Sequence, residues 1–455
     1  MAVVAAAVMT GCSAAAGGGS GSSADTAPGA DALNGKGEVD INFWHEMSGT
    51  NGNTLNALTS QFNKAHQGKI KVKLNYKGKY DDALAAYKGS TDSQRPDVLQ
   101  MYDIGTRYMI DSKTATPVQA FIDKDHYKVS DIQPNIAGYY TVQHKLYSMP
   151  FNTSMPLMYI NKEAFTKAGL DPNSPPKTLA EIMADAKKIK ATPGETVKFG
   201  FGATLYGWYV EQWDAIADQT LCNADNGRSG RATKANLVNQ TNIALYQWWQ
   251  GMINQGLAEK LGSNTDDGDN AFSSGTVAMG LESTGSLGGF VAGAAKAAHP
   301  FHVGTGFFPK VNAKDSGGPI IGGASLWIVG KGKDAAHKRA AWDFVKFLVS
   351  KQSQVTWHTG TGYFPVVKSA LADPVDKKYV AARPQFETAI TQLQQTKLDP
   401  ATQGCSVGPL PDIRKSVENS MQAAMLQGKP AKAALQGAES KANGAIKAYD
   451  AKLGG

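Results

Sequence analysis

The sequence lacks the features that mark several large classes of protein. Its 455 residues contain no apolar run of the roughly 18 residues needed to span a membrane. The 49 Gly and 20 Pro follow no three-residue period, which excludes a collagen-like chain, and 42% hydrophobic residues exclude a disordered one. The 46 Lys and Arg are interspersed with 39 Asp and Glu, so nucleic-acid binding has little support. The net charge of +7 favours an anionic ligand or surface.

Catalytic and metal-binding motifs are also absent. The sequence has no phosphate-binding loop, no Gly-x-Ser-x-Gly elbow, no His-Glu-x-x-His pair and no Cys-x-x-Cys pair, and its 8 His are scattered. Residues 266–269 (Asp-Asp-Gly-Asp) resemble part of a calcium loop but lack the terminal Glu, so we expect a solvated turn there. The sequence therefore predicts neither an enzyme nor a cofactor or metal site.

The first residues resemble a bacterial lipoprotein signal. Residues 1–11 are almost wholly small and apolar and end in Val-Met-Thr-Gly before Cys12, as in a lipobox whose cysteine becomes lipidated. No Lys or Arg precedes this short run, so we expect the signal peptide to start further upstream. Residues 13–37, rich in Ala, Gly and Ser, predict a flexible tether between a membrane anchor and the folded part. The alternative is a disordered terminus with an incidental cysteine.

The other two cysteines are Cys222 and Cys405, and neither has a Cys or His neighbour at metal-ligand spacing. An even pair in an oxidising compartment can form a disulfide. In the chain-entropy model, closing so long a loop stabilises a protein by roughly 4–5 kcal/mol. Two buried free thiols are the alternative, and composition does not decide between them.

Hydrophobic periodicity predicts an α/β fold that begins with a parallel sheet. Apolar and polar residues alternate over residues 39–43 and again over 70–74, which is typical of half-buried strands, and residues 97–101 supply a third strand. Helical spacing over residues 53–68, and around 80–87, places a helix between successive strands. The order strand, helix, strand, helix, strand is typical of parallel strands.

Ligands of open parallel sheets bind outside the carboxyl ends of the strands. Three segments are therefore expected to face a binding crevice: Trp-His at 44–45, residues 76–80, and Tyr-Asp at 102–103.

The remaining sequence predicts a second unit that is mainly helical, over residues 161–262. Strand-like runs return at residues 302–308 and 324–329. We expect the last long helix to begin near Asp412 and to end at Gly428.

Five parts of the sequence, between residue 41 and the C terminus, resemble the extracellular solute-binding proteins of ABC importers. Asn-Lys-Glu-Ala-Phe is of a type shared by many sugar-binding members, whereas Tyr-Lys-Gly-x-Tyr and Ile-Ile-Gly-Gly-Ala-Ser point to the branch that binds glycerol phosphates. The similar parts are residues 43–45, 76–80, 150–154 leading to 159–165, 320–327 and 361–365.

This resemblance implies a periplasmic-binding-protein-like fold, with two α/β lobes joined by a hinge and a ligand cleft between them. After a signal remnant and tether over residues 1–37, the first lobe is expected to comprise residues 38–150 with about 319–350. The second lobe is expected to comprise residues 151–318 with about 351–455.

The resemblance also implies a set of ligand contacts. Arg414 offers a planar fork suited to two phosphate oxygens, although an isolated arginine is more often in a surface ion pair. Gly323 would let backbone amides approach the ligand, or would serve a tight turn. Asp103 stands where the branch carries Glu and can accept hydrogen bonds from vicinal hydroxyls. The matching positions are Tyr80, Asp103, Ser154, Ser283, Gly323, Tyr363 and Arg414.

Two further positions bear on the size of the ligand. The branch has two tryptophans in the segment over residues 205–208, where this sequence keeps Trp208 and has Leu205. Leu205 would open space beside the phosphate, unless it is an ordinary core residue. The resemblance then implies a glycerophosphodiester such as glycerophosphocholine, whose ammonium would lie against Trp208 with Tyr206 or Tyr209.

The expected function is the binding component of an ABC importer. It would be a lipid-anchored monomer that captures a glycerol-phosphate compound and delivers it to the transmembrane subunits of the permease. An oligosaccharide-binding component is one alternative, favoured by 8 Trp and disfavoured by Arg414 and Leu205. The other is an exported phosphodiesterase, which would need a nucleophile or metal cluster that the motifs do not provide.

Overall fold

The computed structural model describes residues 24–454, so Cys12 and the lipobox lie outside the described residues. Within this range no helix has both the length and the apolar character to cross a membrane. The strands are β1 (Val39–His45), β2 (Ile70–Tyr76), β3 (Val98–Tyr102), β4 (Ala115–Thr116), β5 (Thr141–Val142), β6 (Lys145–Leu146), β7 (Met149–Ser154), β8 (Pro156–Asn161), β9 (Met279–Ser283), β10 (Val303–Phe307) and β11 (Gly322–Val329).

Helices connect and cover these strands. The helices are α1 (Gly49–Ala65), α2 (Tyr80–Gly89), α3 (Thr106–Ser112), α4 (Val118–Asp125), α5 (Pro134–Tyr140), α6 (Lys162–Lys167), α7 (Leu179–Lys190), α8 (Gly207–Ile216), α9 (Asn223–Gly227), α10 (Gln240–Asn254), α11 (Thr265–Ser273), α12 (Leu287–Ala294), α13 (Ala335–Leu348), α14 (Lys351–Gly360), α15 (Lys368–Leu371), α16 (Pro374–Ala381), α17 (Thr388–Gln395), α18 (Leu410–Met425) and α19 (Ala431–Leu453). Short 3-10 helices cover Ala30–Leu33, Asp103–Gly105, Thr284–Ser286 and Pro384–Phe386.

The first lobe is built on a six-stranded sheet. Its order is β2-β1-β3-β11-β4, with β7 paired to β11. Strand β1 runs parallel to β2 and β3, which confirms the arrangement predicted for the first three strands. The returning strand β11 runs antiparallel to β3, β4 and β7, so the complete sheet is mixed. In β1, Ile41 and Phe43 are buried while Asp40 and Asn42 face outward, as period-two alternation requires.

The second lobe contains a three-stranded antiparallel sheet in the order β10-β8-β9. All six residues of β8 are buried, because helices cover it and β9 and β10 flank it. Helices α8, α10, α18 and α19 pack against one another beside this sheet.

The chain crosses between the lobes in the middle of a buried segment. Strand β7 of the first sheet ends at Ser154 and β8 of the second begins at Pro156, so the crossing is at the buried Met155. The first sheet thus extends past the expected boundary at residue 150.

Helix α14, which the sequence assigned to the second lobe, packs against α1 of the first lobe. The reason is that Trp357 of α14 lies on Phe151 of β7, with ring centroids 4.7 Å apart.

Two sequence expectations about helices were wrong. The last long helix is α19 (Ala431–Leu453), which follows α18 and packs along it. Its buried side is mostly alanine, so hydrophobic contrast around the helix is weak. Residues 266–269 lie within α11 rather than in a turn. Asp266 and Asp267 occupy the first turn of that helix, where the positive end of the helix dipole favours carboxylates.

Cys222 and Cys405 form a disulfide in the structure, with an S–S distance of 2.04 Å. The adjacent segment α9 is a left-handed turn, because Ala224, Asp225 and Asn226 have φ values of 54°, 50° and 59°. Asn226 stabilises this turn: its Oδ1 accepts a hydrogen bond from Cys222 N at 3.0 Å, and its Nδ2 donates to Pro400 O at 2.8 Å. The disulfide therefore lies in a polar junction between two distant loops.

Replacing both cysteines by alanine should lower the free energy of unfolding by about 4–5 kcal/mol, because the unfolded chain would regain the freedom of a long closed loop. The two cysteines are separated by 183 positions. Urea denaturation of the wild type and the double variant measures the difference. The wild type unfolded with a reducing agent should match the variant, and equal stability with and without reductant would contradict the prediction.

Candidate ligand-binding site

A cavity of about 390 Å³ lies between the two lobes. The first lobe contributes residues that follow β1 and β3, the start of α2, and the paired ends of β7 and β11. The second lobe contributes residues at the end of β9 and at the starts of α8 and α18. Eight of the predicted positions line this cavity: Tyr80, Asp103, Ser154, Trp208, Ser283, Gly323, Tyr363 and Arg414.

Leu205 is the predicted position that does not line the cavity. Its side chain is 1% exposed and belongs to the hydrophobic core of the second lobe, and its backbone N–H donates to Gly262 O at 2.8 Å. The neighbouring Tyr206 lines the cavity instead. Tyr209 is fully buried, and its hydroxyl donates to Leu281 O at 2.6 Å. Of the two tyrosines considered as partners for Trp208, only Tyr206 faces the cavity.

The guanidinium of Arg414 is held by two carboxylates. Its Nε and Nη2 donate to Glu211 Oε1 and Oε2 at 2.7 and 2.8 Å, as a two-pronged pair. Nη2 also lies 3.3 Å from Asp103 Oδ2. The fork predicted for phosphate therefore holds Glu211 in this structure. Its remaining nitrogen, Nη1, lies 3.5 Å from the hydroxyl of Tyr206 on the cavity wall.

This ionic cluster joins the two lobes. Glu211 comes from α8 and Arg414 from α18, both in the second lobe, whereas Asp103 follows β3 of the first. Burial raises the pKa of both carboxyl groups, and the positive charge of Arg414 acts in the opposite direction on each. All three side chains are at least nine-tenths buried, so their mutual attraction is weakly screened by solvent.

The other two cations of the cavity wall are also paired. Lys79, at the start of α2, lies 3.0 Å from Asp266 Oδ2 and donates to Asn264 Oδ1 at 3.1 Å, which makes a second contact between the lobes. Lys415 lies 3.2 Å from Glu418 Oε2 on the same helix. Both lysines are more than half exposed, so these pairs contribute little stability. None of the three wall cations is left without a carboxylate.

Two carboxyl groups on the second lobe have raised pKa values. Burial, together with the nearby charge of Asp269, raises the pKa of Glu282 to about 8. Burial likewise raises the pKa of Asp269 to about 6. The Tyr209 hydroxyl lies 3.3 Å from Glu282 Oε2, and its single proton already goes to Leu281 O. A protonated Glu282 can therefore donate to Tyr209.

Glycines at the start of β11 allow Trp208 and the sheet to meet. A Cβ at Gly322 would lie 2.5 Å from the Trp208 ring and 3.1 Å from Ser154 Oγ. Gly323 has φ of 90°, and a Cβ there would lie 1.9 Å from Asn152 O. Position 323 must therefore be glycine for β11 to pair with β7, in addition to any role in the cavity wall. The Trp208 indole N–H is buried with no hydrogen-bond partner among the described residues.

A relay of hydrogen bonds positions Tyr80. Glu46 N donates to Gln100 Oε1 at 3.0 Å, Gln100 Nε2 donates to Asn152 Oδ1 at 2.7 Å, and Asn152 Nδ2 donates to the Tyr80 hydroxyl at 3.1 Å. The Tyr80 ring stacks on Tyr102 with centroids 5.3 Å apart. These amides are buried, so the phenol is held in one place at the cavity wall.

The remaining predicted residues are placed by local turns. Ser283 ends β9, and its Oγ accepts from Gly285 N at 3.0 Å, which caps the following helical turn. Tyr363 stacks on Trp357 with centroids 5.7 Å apart. A Cβ at Gly285 would lie 2.7 Å from the Tyr363 ring, so the two segments meet closely across the cavity.

Sequence reasoning missed Glu46, Glu211 and Glu282. Glu46 follows β1 directly, and the rule that ligands bind at the carboxyl ends of parallel strands pointed to its neighbours, residues 44–45. Glu211 and Glu282 carry no such signal, because a glutamate inside a helix or strand pattern is ordinarily solvent-exposed.

The fold and cavity define a class of protein: two α/β lobes that enclose a small molecule between them. The model of the bacterial extracellular solute-binding protein family matches residues 57–388 of the chain. The chain belongs to that family, the substrate-binding proteins of ABC transporters, which act outside the cytoplasm and are not enzymes.

Curated relatives cover nearly the whole chain. The sn-glycerol-3-phosphate-binding periplasmic protein UgpB of Pectobacterium atrosepticum is 33% identical over 421 residues, or 90% of this chain and 92% of the relative. UgpB of Escherichia coli K12 is 31% identical over 418 residues, or 90% of this chain and 93% of the relative.

Solved structures share the fold. UgpB from Mycobacterium tuberculosis in complex with glycerophosphocholine matches with a TM-score of 0.76 at 22% identity, covering 90% of this chain and 99% of that one. The cyclic α-maltosyl-1,6-maltose binding protein from Arthrobacter globiformis matches with a TM-score of 0.71 at 21% identity, covering 90% of this chain and 100% of that one.

Replacing Arg414 by alanine should destabilise the protein by about 3–5 kcal/mol, because Glu211 and Asp103 would remain buried without their cation. Chemical denaturation of the ligand-free protein measures this loss. The control is Lys415→Ala, which removes an exposed ion pair on the same helix and should cost less than about 1 kcal/mol. Equal stability of the two variants would contradict a structural role for the ionic cluster.

Replacing Glu282 by glutamine should raise stability in alkaline solution. The folded protein keeps the Glu282 proton up to a pKa of about 8, whereas an ordinary glutamate loses it near 4.5. The stability due to this proton is fully present below pH 4.5 and is lost as the pH rises to about 8, at about 1.4 kcal/mol per pH unit.

The Gln variant keeps an uncharged donor and should escape that loss. Denaturation at several pH values should show the two proteins closest at pH 5 and furthest apart above pH 8. A difference between wild type and variant that does not change with pH would contradict this assignment.

Proposed function

We propose that this protein captures glycerol-phosphate compounds, in particular glycerophosphodiesters such as glycerophosphocholine, and delivers them to an ABC permease. The observation that carries the proposal is the convergence, in one interlobe cavity, of eight positions that the resemblance to the glycerol-phosphate branch names. The names of the curated relatives support the glycerol-phosphate part, and the ligand of the M. tuberculosis protein supports the diester.

Hydrogen-bond donors suited to a phosphate group line the cavity. Tyr80, Tyr363, Trp208 and Arg414 line it, and Nη1 of Arg414 makes only a long contact of 3.5 Å, with the Tyr206 hydroxyl. Charge-assisted hydrogen bonds in a desolvated cleft are the strong ones, so a few such donors suffice to bind one phosphate group.

The charge balance of the wall favours a diester over a monoester. The three wall cations are each paired with a carboxylate, whereas Glu46 and Glu282 have no cationic partner in the described part of the chain. A phosphate monoester approaches two negative charges above its second pKa of about 6. A diester carries one, and a choline or ethanolamine group compensates it.

A quaternary ammonium would lie against the aromatic rings beside Arg414. The centroids of Trp208 and Tyr206 are 6.1 Å apart and their planes are inclined by 51°. One face of Tyr206 already receives the Arg414 guanidinium at 5.6 Å, so Trp208 is the principal cation–π partner available. Such a contact contributes about 0.5–2 kcal/mol.

Anchoring and delivery complete the proposal. A lipid on Cys12 would hold the protein, as a monomer, at the outer face of the cell membrane. Closure of the lobes on the ligand would present the occupied form to the transmembrane subunits of the permease. The ion pairs between Arg414 and Asp103 and between Lys79 and Asp266 are two of the contacts that join the lobes in the present arrangement.

An oligosaccharide is the second candidate ligand. The A. globiformis protein of similar fold is named for a cyclic sugar, and carboxyl groups such as those of Asp269 and Glu282, which line the cavity here, are of a kind that accepts hydrogen bonds from sugar hydroxyls.

Calorimetric titration distinguishes the candidates. We expect glycerophosphocholine to bind at least about tenfold more tightly than glycerol 3-phosphate, and maltose to give no measurable binding. Tight binding of maltose without binding of either glycerol phosphate would overturn the proposal.

Trp208→Ala should weaken binding of the choline diester more than binding of the ethanolamine diester, because a quaternary ammonium has no N–H donors to use elsewhere. Trp208→Phe, which keeps an aromatic face, is its matched control.

A further inference from the structure

Glu46 is a buried carboxyl group that the protein leaves without a partner. It follows β1 directly, lines the interlobe cavity and is 8% exposed. Neither Oε1 nor Oε2 has a hydrogen-bond partner among the described residues. Its backbone is fixed, because Glu46 N donates to Gln100 Oε1 at 3.0 Å. The side chain is therefore held at the cavity wall with both oxygens unsatisfied.

Other carboxyl groups of the cavity wall have partners. Asp81 accepts from the Tyr102 hydroxyl at 2.9 Å, and Asp103 lies 3.3 Å from Arg414 Nη2. Glu282 Oε1 accepts from Ser283 N at 2.7 Å, and Asp269 Oδ2 accepts from Ser286 Oγ at 3.2 Å. Buried polar groups are nearly always satisfied in folded proteins, so a carboxyl group with two orphaned oxygens in a binding cavity points to a ligand as its partner.

The surroundings of Glu46 favour its uncharged form. Burial raises the pKa of Glu46 well above the ordinary value, its own backbone N–H acts in the opposite direction, and no cation among the described residues bonds either oxygen. Burial lowers the pKa of the preceding His45 to about 4, so that ring is neutral as well. A protonated carboxyl group offers one O–H donor and one carbonyl acceptor at the same place.

We propose that Glu46 binds the free hydroxyls of the ligand's glycerol group, and that it makes the site select for that end of the molecule. This inference rests on the proposed function. The chemistry follows from the two orphaned oxygens. A phosphate oxygen can only accept, so it would satisfy one of them and leave the other unpaired. The quaternary ammonium of choline has no N–H and no lone pair, so it can neither donate nor accept. Adjacent hydroxyls both donate and accept, and so satisfy both.

Asp103 had been expected to contact these hydroxyls. The Oδ2 atom of Asp103 already lies beside Arg414, whereas neither oxygen of Glu46 has a partner among the described residues. The two carboxyl groups follow neighbouring parallel strands, β3 and β1, and so lie at the same edge of the first sheet. Glu46 is thus the residue at this edge that is free to recognise a diol.

The test compares ligands with and without the glycerol group. Glycerophosphocholine and phosphocholine share the phosphate and the choline, and only the first has the two hydroxyls. Calorimetric titration of Glu46→Leu should show glycerophosphocholine weakened by about tenfold or more and phosphocholine changed by less than about twofold. Glu46→Gln keeps one donor and one acceptor and should retain glycerophosphocholine affinity within about threefold.

The matched control is Glu259→Leu. Glu259 also has a buried unpartnered oxygen, Oε2, but it lies outside the interlobe cavity. This variant should leave both affinities unchanged. A general effect of removing a partly buried glutamate would appear equally in Glu259→Leu and in Glu46→Leu, and that result would overturn the proposal.

A thermal measurement separates ligand contact from a structural role. Ligand-free Glu46→Leu should unfold at the same temperature as the wild type or at a higher one, because an unsatisfied buried group has been removed. A lower unfolding temperature together with equal losses for both ligands would overturn the proposal. If the wild type binds the ligands and Glu46→Leu binds them equally well, only the role of Glu46 fails. If the wild type binds neither glycerophosphocholine nor glycerol 3-phosphate, both the role and the proposed function fail.

Discussion

A guanidinium buried between two carboxylates connects the lobes behind the cavity, and much of the site depends on it. Arg414 bonds Glu211 through two nitrogens and approaches Asp103 across the cleft. Burying these three groups is tolerable only because each satisfies another, since a lone charge in this position would be strongly destabilising. The cluster thereby fixes how α8, α18 and the end of β3 meet, and so fixes the wall on which Tyr206 and Trp208 lie.

The same cluster decides the electrostatic character of the cavity. Glu211 accepts hydrogen bonds from Nε and Nη2 of Arg414, so the positive charge that a ligand would meet is largely neutralised. The wall lysines Lys79 and Lys415 are paired with Asp266 and Glu418 in the same way. Buried acids such as Glu282 then face the ligand with raised pKa values. A site of this kind has little excess positive charge to bind a dianion. Its uncharged carboxyl and phenol groups are suited to hydrogen bonds with neutral polar groups. It is better matched to a polar molecule of low net charge, which is how the proposed diester differs from a phosphate monoester.

Much of the fold could be predicted from local patterns. Strands β1 to β3 and helices α1 and α2 follow from periods of 2 and 3.6 residues, and their bounds lie within a few residues of expectation. Helix α19 was missed because alanine gives its buried side little hydrophobic contrast. The lobe boundary near residue 150 and the position of α14 were misplaced, since both depend on packing of Trp357 against a strand two hundred positions earlier, a contact without local signature.

The sequence by itself determined the family, the α/β class and eight of the positions that line the cavity, because motifs and hydrophobic periodicity are local properties of the chain. Only the tertiary structure decided which chemical groups those positions present. It placed Leu205 in the core, engaged Arg414 with Glu211, and left Glu46 unpartnered at the wall. The physical reason is that hydrogen bonding and burial are properties of neighbours in space. Whether a carboxyl group is paired, protonated or free for a ligand depends on residues that lie far from it in the chain.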